Sequence, residues 1–87
     1  MRLPTRVHFP FGYIVHIRQV TDAEIIAAVD GEGPEDMADG CWMVDTRTIY
    51  IRKSLPLRRR RYILSHELGH ALWDWQHDCL DANAMRP

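Results

Sequence analysis

The sequence predicts an α+β fold in which a short antiparallel sheet or hairpin packs on one long C-terminal helix. Three observations predict it. Apolar and polar residues nearly alternate from Tyr13 to Val20, Thr48-Ile49-Tyr50-Ile51 is a dense run of strand formers, and a helical pattern extends from Leu57 to about Trp75. At 87 residues the chain reads as one domain, residues 1–87, with a thin core to which a bound metal would add stability.

Composition narrows the classes. The chain is 46% hydrophobic and 26% charged with a net charge of −1, which suits a globular protein. No apolar run approaches the roughly 20 residues of a membrane span. Residues 1–6 lack the apolar stretch and cleavage site of a secretory signal. The expected location is the cytoplasm, where Cys41 and Cys79 would stay reduced; a single bridge between them is the alternative. The near-neutral total hides segregated charge, with six of the 11 basic residues between Arg52 and Arg61 and five of the 12 acidic ones between Asp30 and Asp39.

Residues 1–12 contain two prolines and the Phe9-Pro10-Phe11-Gly12 stretch, and read as an irregular lead-in. Tyr13–Val20 reads as a strand with Tyr13, Val15 and Ile17 buried and His16 and Arg18 outward. Thr21-Asp22-Ala23-Glu24 is a capping box that opens a helix over about 22–29, with Ile25, Ile26 and Val29 inward. Asp30-Gly31-Glu32-Gly33-Pro34 ends it, and the acidic segment to Gly40 reads as a surface loop without the acid order of a calcium site. Cys41–Val44 and Thr48–Arg52 read as strands around an Asp45-Thr46-Arg47 turn. Ser54-Leu55-Pro56 then starts the last helix. On a helical wheel Leu57, Leu64, Leu68, Leu72 and Trp75 share the side expected to bury. His66 and His70 fall nearly opposite, flanked by Ile63 and Trp73.

The chemistry concentrates at His66-Glu67-Leu68-Gly69-His70. Histidines four residues apart lie one above the other on a helix and can grip one metal ion, and the intervening glutamate is set to take a proton from a metal-activated water. Zinc suits imidazole ligands and leaves one position for water. These residue types point to zinc-dependent hydrolysis, most commonly of a peptide bond, with Glu67 as general base. The plainer alternative is two solvent-exposed histidines on an amphipathic helix.

The context of this pentad, Thr48-Ile49-Tyr50-Ile51, the arginines, Tyr62-Ile63-Leu64-Ser65 before it and Ala71-Leu72 after it, resembles the small ImmA/IrrE-like zincin metallopeptidases over residues 40–73. The resemblance implies a zincin-like domain in which a hairpin leads through a basic linker into the metal-binding helix. It implies zinc at His66 and His70 and Glu67 as the base. It also implies a protein or peptide substrate, such as a repressor or other regulator, since the family is common on phages and mobile elements beside repressors its members help to inactivate. In zincins the strand before the active helix borders the cleft and pairs with substrate; here the expected strand is Thr46–Arg52.

Family members usually draw a third ligand from a second helix downstream. Seventeen residues follow His70, and they offer Asp74, His77, Asp78, Cys79 and Asp81. On a straight helix His77 would stand about 10.5 Å, and Asp74 about 6 Å, further along the axis than His70, so sharing the ion requires a break near Trp75. The His70-to-His77 spacing resembles SprT-like zincins and favours His77. Asp81 is next, because Asp81-Ala82-Asn83-Ala84 resembles a shortened acidic helix motif of the ImmA/IrrE proteins, while Cys79 suits a structural zinc. Tyr50, Tyr62 and His16 are the candidates for stabilising an oxyanion, and Asp74 is a candidate to orient a ligand histidine.

Arg58-Arg59-Arg60-Arg61 occupies the first turns of the helix, where the dipole disfavours positive charge. Pairing with the acidic 30–39 loop is the simple account, and a patch for nucleic acid or an acidic partner the sharper one. The overall charge argues against nucleic acid. Three functions compete: a minimal zinc peptidase, a zinc-stabilised protein-binding module without turnover, and an arginine-patch nucleic-acid binder. A small domain with three tryptophans also raises the expectation of a homo-oligomer.

Overall fold

A computed structural model describes residues 2–29, 31, 33 and 38–81. The elements are β1 (Arg6–Phe9), β2 (Tyr13–Val20), α1 (Asp22–Ala28), β3 (Gly40–Met43), β4 (Thr48–Arg52) and α2 (Leu57–Trp75), followed by π-helical turns over Gln76–Asp81. The α+β class holds. The sheet, however, is larger than a hairpin: its four strands run in the order β1-β2-β4-β3. Two antiparallel hairpins, β1/β2 and β3/β4, are joined by parallel pairing of β2 with β4. A parallel pair needs a crossover, and α1 lies within it.

Strand β1 lies in the segment expected to be irregular. Its turn explains the difference. Pro10-Phe11-Gly12 reverses the chain with Phe11 at φ 68° and Gly12 at φ 73°. Glycine adopts that region freely, but a phenylalanine there costs on the order of 1–2 kcal/mol. Contacts with the far end of α2 offset that cost. The Phe11 ring stacks on Trp75 with centroids 6.5 Å apart, and the Trp75 indole donates a 3.0 Å hydrogen bond to the Pro10 carbonyl. Phe9 meets Trp75 edge-on at 5.8 Å and stacks on Tyr13 at 6.0 Å. Local sequence favours no strand here; tertiary packing on Trp75 does.

The core forms between one sheet face and α2. Val15, Ile17, Ile49 and Ile51 from the central strands meet Ile63, Leu64, Ala71 and Trp75, with Leu3 and Tyr13 closing the cluster. Helix α1 packs against β3 and β4, with Ile25 fully buried. Its capping box forms as the sequence predicts: Glu24 N–H donates to the Thr21 hydroxyl at 3.2 Å, and Thr21 N–H donates to the Glu24 carboxylate at 3.1 Å.

The orientation of α2 differs from the wheel. The buried positions are Ile63, Leu64, Glu67, Ala71 and Trp75, whereas Leu72 is 43% exposed. At 100° per residue this face is turned about 70° from the leucine side, towards the histidines. Two contacts with β3 account for it. Gly40 has no side chain, and a Cβ there would collide with Ile63 Cγ2 and come within 2.9 Å of the Tyr50 carbonyl oxygen. One end of α2 therefore sits directly on the strand. Near the other end, the Trp42 indole donates to the Asp74 carboxylate at 2.5 Å. Held at both points along β3, the helix turns Glu67 inward and carries His66 and His70 to the margin.

Candidate metal centre

His66 and His70 are both exposed, and their Nε2 atoms lie 3.4 Å apart. Their rings are set at 78° with centroids 5.0 Å apart. Two nitrogens bound at 2.0–2.1 Å to one tetrahedral ion stand about 3.3–3.4 Å from each other. The pair thus has the spacing of two ligands to a single zinc. Helical geometry puts the residues on one face, and the rotamers bring the correct nitrogens together.

Among the described residues no group of three His, Cys, Asp or Glu side chains gathers to hold an ion. Helix α2 does not break at Trp75, as ligation by His77 would require; it widens into π-helical turns. The His77 ring packs edge-on to Trp73 at 4.3 Å and is not gathered with the pair. The Asp74 carboxylate, a candidate to orient a ligand histidine, accepts through Oδ2 from the Trp42 indole. Asp78 is exposed. The side chains of Cys79 and Asp81 lie outside the described residues, and so does any pairing through Cys79; Cys41 is a free thiol.

Glu67 is only 8% exposed and lies towards β3. Its Cγ would stand 3.6 Å from a Cβ placed on Gly40, an ordinary van der Waals distance, which puts the glutamate beside the start of the strand. The neighbouring Cys41 thiol registers this arrangement. Burial, and then the charge of Glu67, push its pKa up, against a smaller opposing effect of a backbone hydrogen bond at Tyr50. Gly40 and Trp42, which seat the helix on β3, were not foreseen as part of the site, and Asp74 was foreseen only as a ligand or as the partner of a ligand histidine, not as the acceptor for Trp42. A glycine opening a strand was the available signal, since it often marks a close approach.

The oxyanion candidates are dispersed. Tyr50 alternates with the core residues Ile49 and Ile51, so it lies on the sheet face away from α2, where Arg18 sits 5.6 Å from its ring. His16 is outward by the same alternation. Tyr62 lies one helical turn from His66 on the exposed side, with the Arg59 guanidinium 5.0 Å from its ring. The strand expected to border the cleft also changes. β4 pairs with β2 on one side and β3 on the other, so Thr46–Arg52 has no free edge. Among the described residues, the unpaired edge beside α2 belongs to β3.

A small α+β domain with a histidine pair on its long helix is the class defined by these features. The family model described as IrrE N-terminal-like domain, Peptidase_M78, matches residues 22–87, and the chain belongs to that family. No curated protein and no solved structure matches the chain. Among the described residues no helix is long and apolar enough to cross a membrane.

Proposed function

We propose that this chain is a zinc-dependent peptidase, with His66 and His70 as two zinc ligands and Glu67 as general base. The 3.4 Å separation of the two Nε2 atoms carries the reading, because it matches the chord between two ligands of one tetrahedral ion. Membership of a peptidase family supports it independently. Held by His66 and His70, zinc would supply Lewis acidity towards a carbonyl and a water. Glu67 would be the group that accepts a proton beside the pair and passes it to the leaving amine. The open edge of β3 receives a peptide by main-chain pairing, which gives affinity with little sequence preference. The substrate class is a protein in the same cytoplasmic compartment, such as a repressor or other regulator, and the remaining protein ligand comes from the residues after His77 or from a partner.

A second reading is a zinc-stabilised protein-binding module without turnover. The burial of Glu67 against the sheet favours it, since a base must reach its water. Two measurements separate the readings: zinc content of the purified chain, and cleavage of unfolded, fluorescein-labelled casein. His66→Ala and His70→Ala should each lower bound zinc at least tenfold. Glu67→Gln should keep the zinc and lose cleavage by 100-fold or more. Unchanged cleavage in Glu67→Gln removes the peptidase reading, and zinc binding without cleavage in the unsubstituted chain selects the binding module.

A further inference from the structure

The outer face of α2 carries a feature that neither zinc binding nor hydrolysis uses. Arg58, Arg61, Tyr62, Gly69, Leu72 and Trp73 form one stripe that extends about 22 Å along the helix. Tyr62 is 59%, Leu72 43% and Trp73 62% exposed, an unusual amount of large apolar surface for one helix face. Gly69 lies among them at mid-helix. A Cβ at this position would meet nothing within 4 Å, so packing within the fold gives no reason for the loss of helix propensity that glycine brings. What the glycine provides is a low floor on which a second helix can approach the backbone closely.

The charges indicate what kind of helix. Arg59 is paired with Asp39 at 3.0 Å, and Arg60 donates to the Leu55 carbonyl and to Gln19. Arg58 and Arg61 are exposed and engage no acid among the described residues. They stand near a helix N-terminus with no side-chain cap and no acidic residue in its first turn, where the dipole adds to their positive potential. The geometry points to this stripe as a docking surface for a partner protein's acidic amphipathic helix, with apolar residues over Tyr62, Gly69 and Trp73 and carboxylates at Arg58 and Arg61. A second copy of this chain fits less well. Antiparallel pairing would set the arginines against Leu72, Trp73 and Gln76, and parallel pairing would set them against arginines. Nucleic acid also fits less well, because no lysine or arginine follows Arg61 along α2.

The surface is independent of the peptidase reading, and its test needs neither zinc nor cleavage. The probes are two synthetic helical peptides of about 20 residues. Both carry a leucine–alanine stripe, flanked by glutamates in one and by lysines in the other. Tryptophan fluorescence and peptide anisotropy report binding to the whole chain. The glutamate peptide should bind at least tenfold more tightly than the lysine peptide, and more weakly as salt rises. Arg58→Glu combined with Arg61→Glu should weaken it at least tenfold, and Gly69→Leu should do the same without lowering the melting temperature. Equal binding of the two peptides, tighter binding of a single-stranded oligonucleotide, or a dimer in sedimentation that these variants dissolve would each overturn the assignment. A lowered melting temperature in Gly69→Leu would do so too, since the fold itself would then require the glycine.

Discussion

The indole of Trp42 on the edge strand donates to the carboxylate of Asp74, which lies 32 residues later near the end of α2. This bond joins β3 to the turn after His70, so it fixes the distance between the open strand edge and the histidine pair. A hydrogen bond to a charged acceptor is worth about 1.5–3 kcal/mol. Trp42→Phe should cost about 2 kcal/mol in urea unfolding, whereas Asp74→Asn, which keeps an accepting oxygen, should cost less than about 1. Equal costs for the two substitutions would show that the charge on Asp74, and not merely an accepting oxygen, carries the contact.

Gly40→Ala tests the opposite end of the same junction. The added methyl group would collide with Ile63 and crowd the Tyr50 carbonyl, both fixed parts of the core. Overpacking of this kind costs about 1–3 kcal/mol. Thermal melting should show the destabilisation. A melting temperature unchanged within 1–2 °C would mean that α2 can lift from β3 without penalty.

The capping box gives a pH dependence whose sign is fixed. Hydrogen bonds from Thr21, backbone first and hydroxyl second, hold the Glu24 carboxyl below its ordinary value of 4.5. A depressed folded-state value stabilises the fold above the unfolded-state pKa, and the gain disappears as pH falls through the folded-state value. The stability difference between the natural chain and Glu24→Gln should therefore be constant from pH 7 down to about 5 and close below about 4. Thr21→Ala, which removes the cap itself, should cost about 1 kcal/mol at neutral pH. A gap between the natural chain and Glu24→Gln that widens on acidification would contradict this account.

Much of the local structure was legible because local chemistry sets it. The alternation over Tyr13–Val20, the Thr21–Glu24 box and the span of α2 each follow from side chains close in sequence. The rest depends on distant partners. β1 exists because Trp75 holds the Pro10-Phe11 turn, and the rotation of α2 follows from Gly40 and from Trp42 with Asp74. A wheel counts leucines and is blind to a missing Cβ on another element. For the same reason the spacing of His66 and His70 could be read from the sequence, while the inward turn of Glu67 could not. Of the expected pairing between the 30–39 loop and Arg58–Arg61, the described residues show Asp39 with Arg59, and the other acids of the loop lie outside them.

The parallel contact between β2 and β4 has a practical side. The family match begins at Asp22, just after β2, yet β2 supplies the whole register from His16 to Val20 along Thr48–Arg52. A fragment trimmed to the matched residues would leave Thr48-Ile49-Tyr50-Ile51 with a row of unpaired amides and carbonyls on a flat, β-branched strand. Such a strand recruits whatever backbone it meets, and in a concentrated sample that is another copy of itself. Insoluble material from a fragment starting at Asp22 would report a missing neighbour, not a domain that fails to fold.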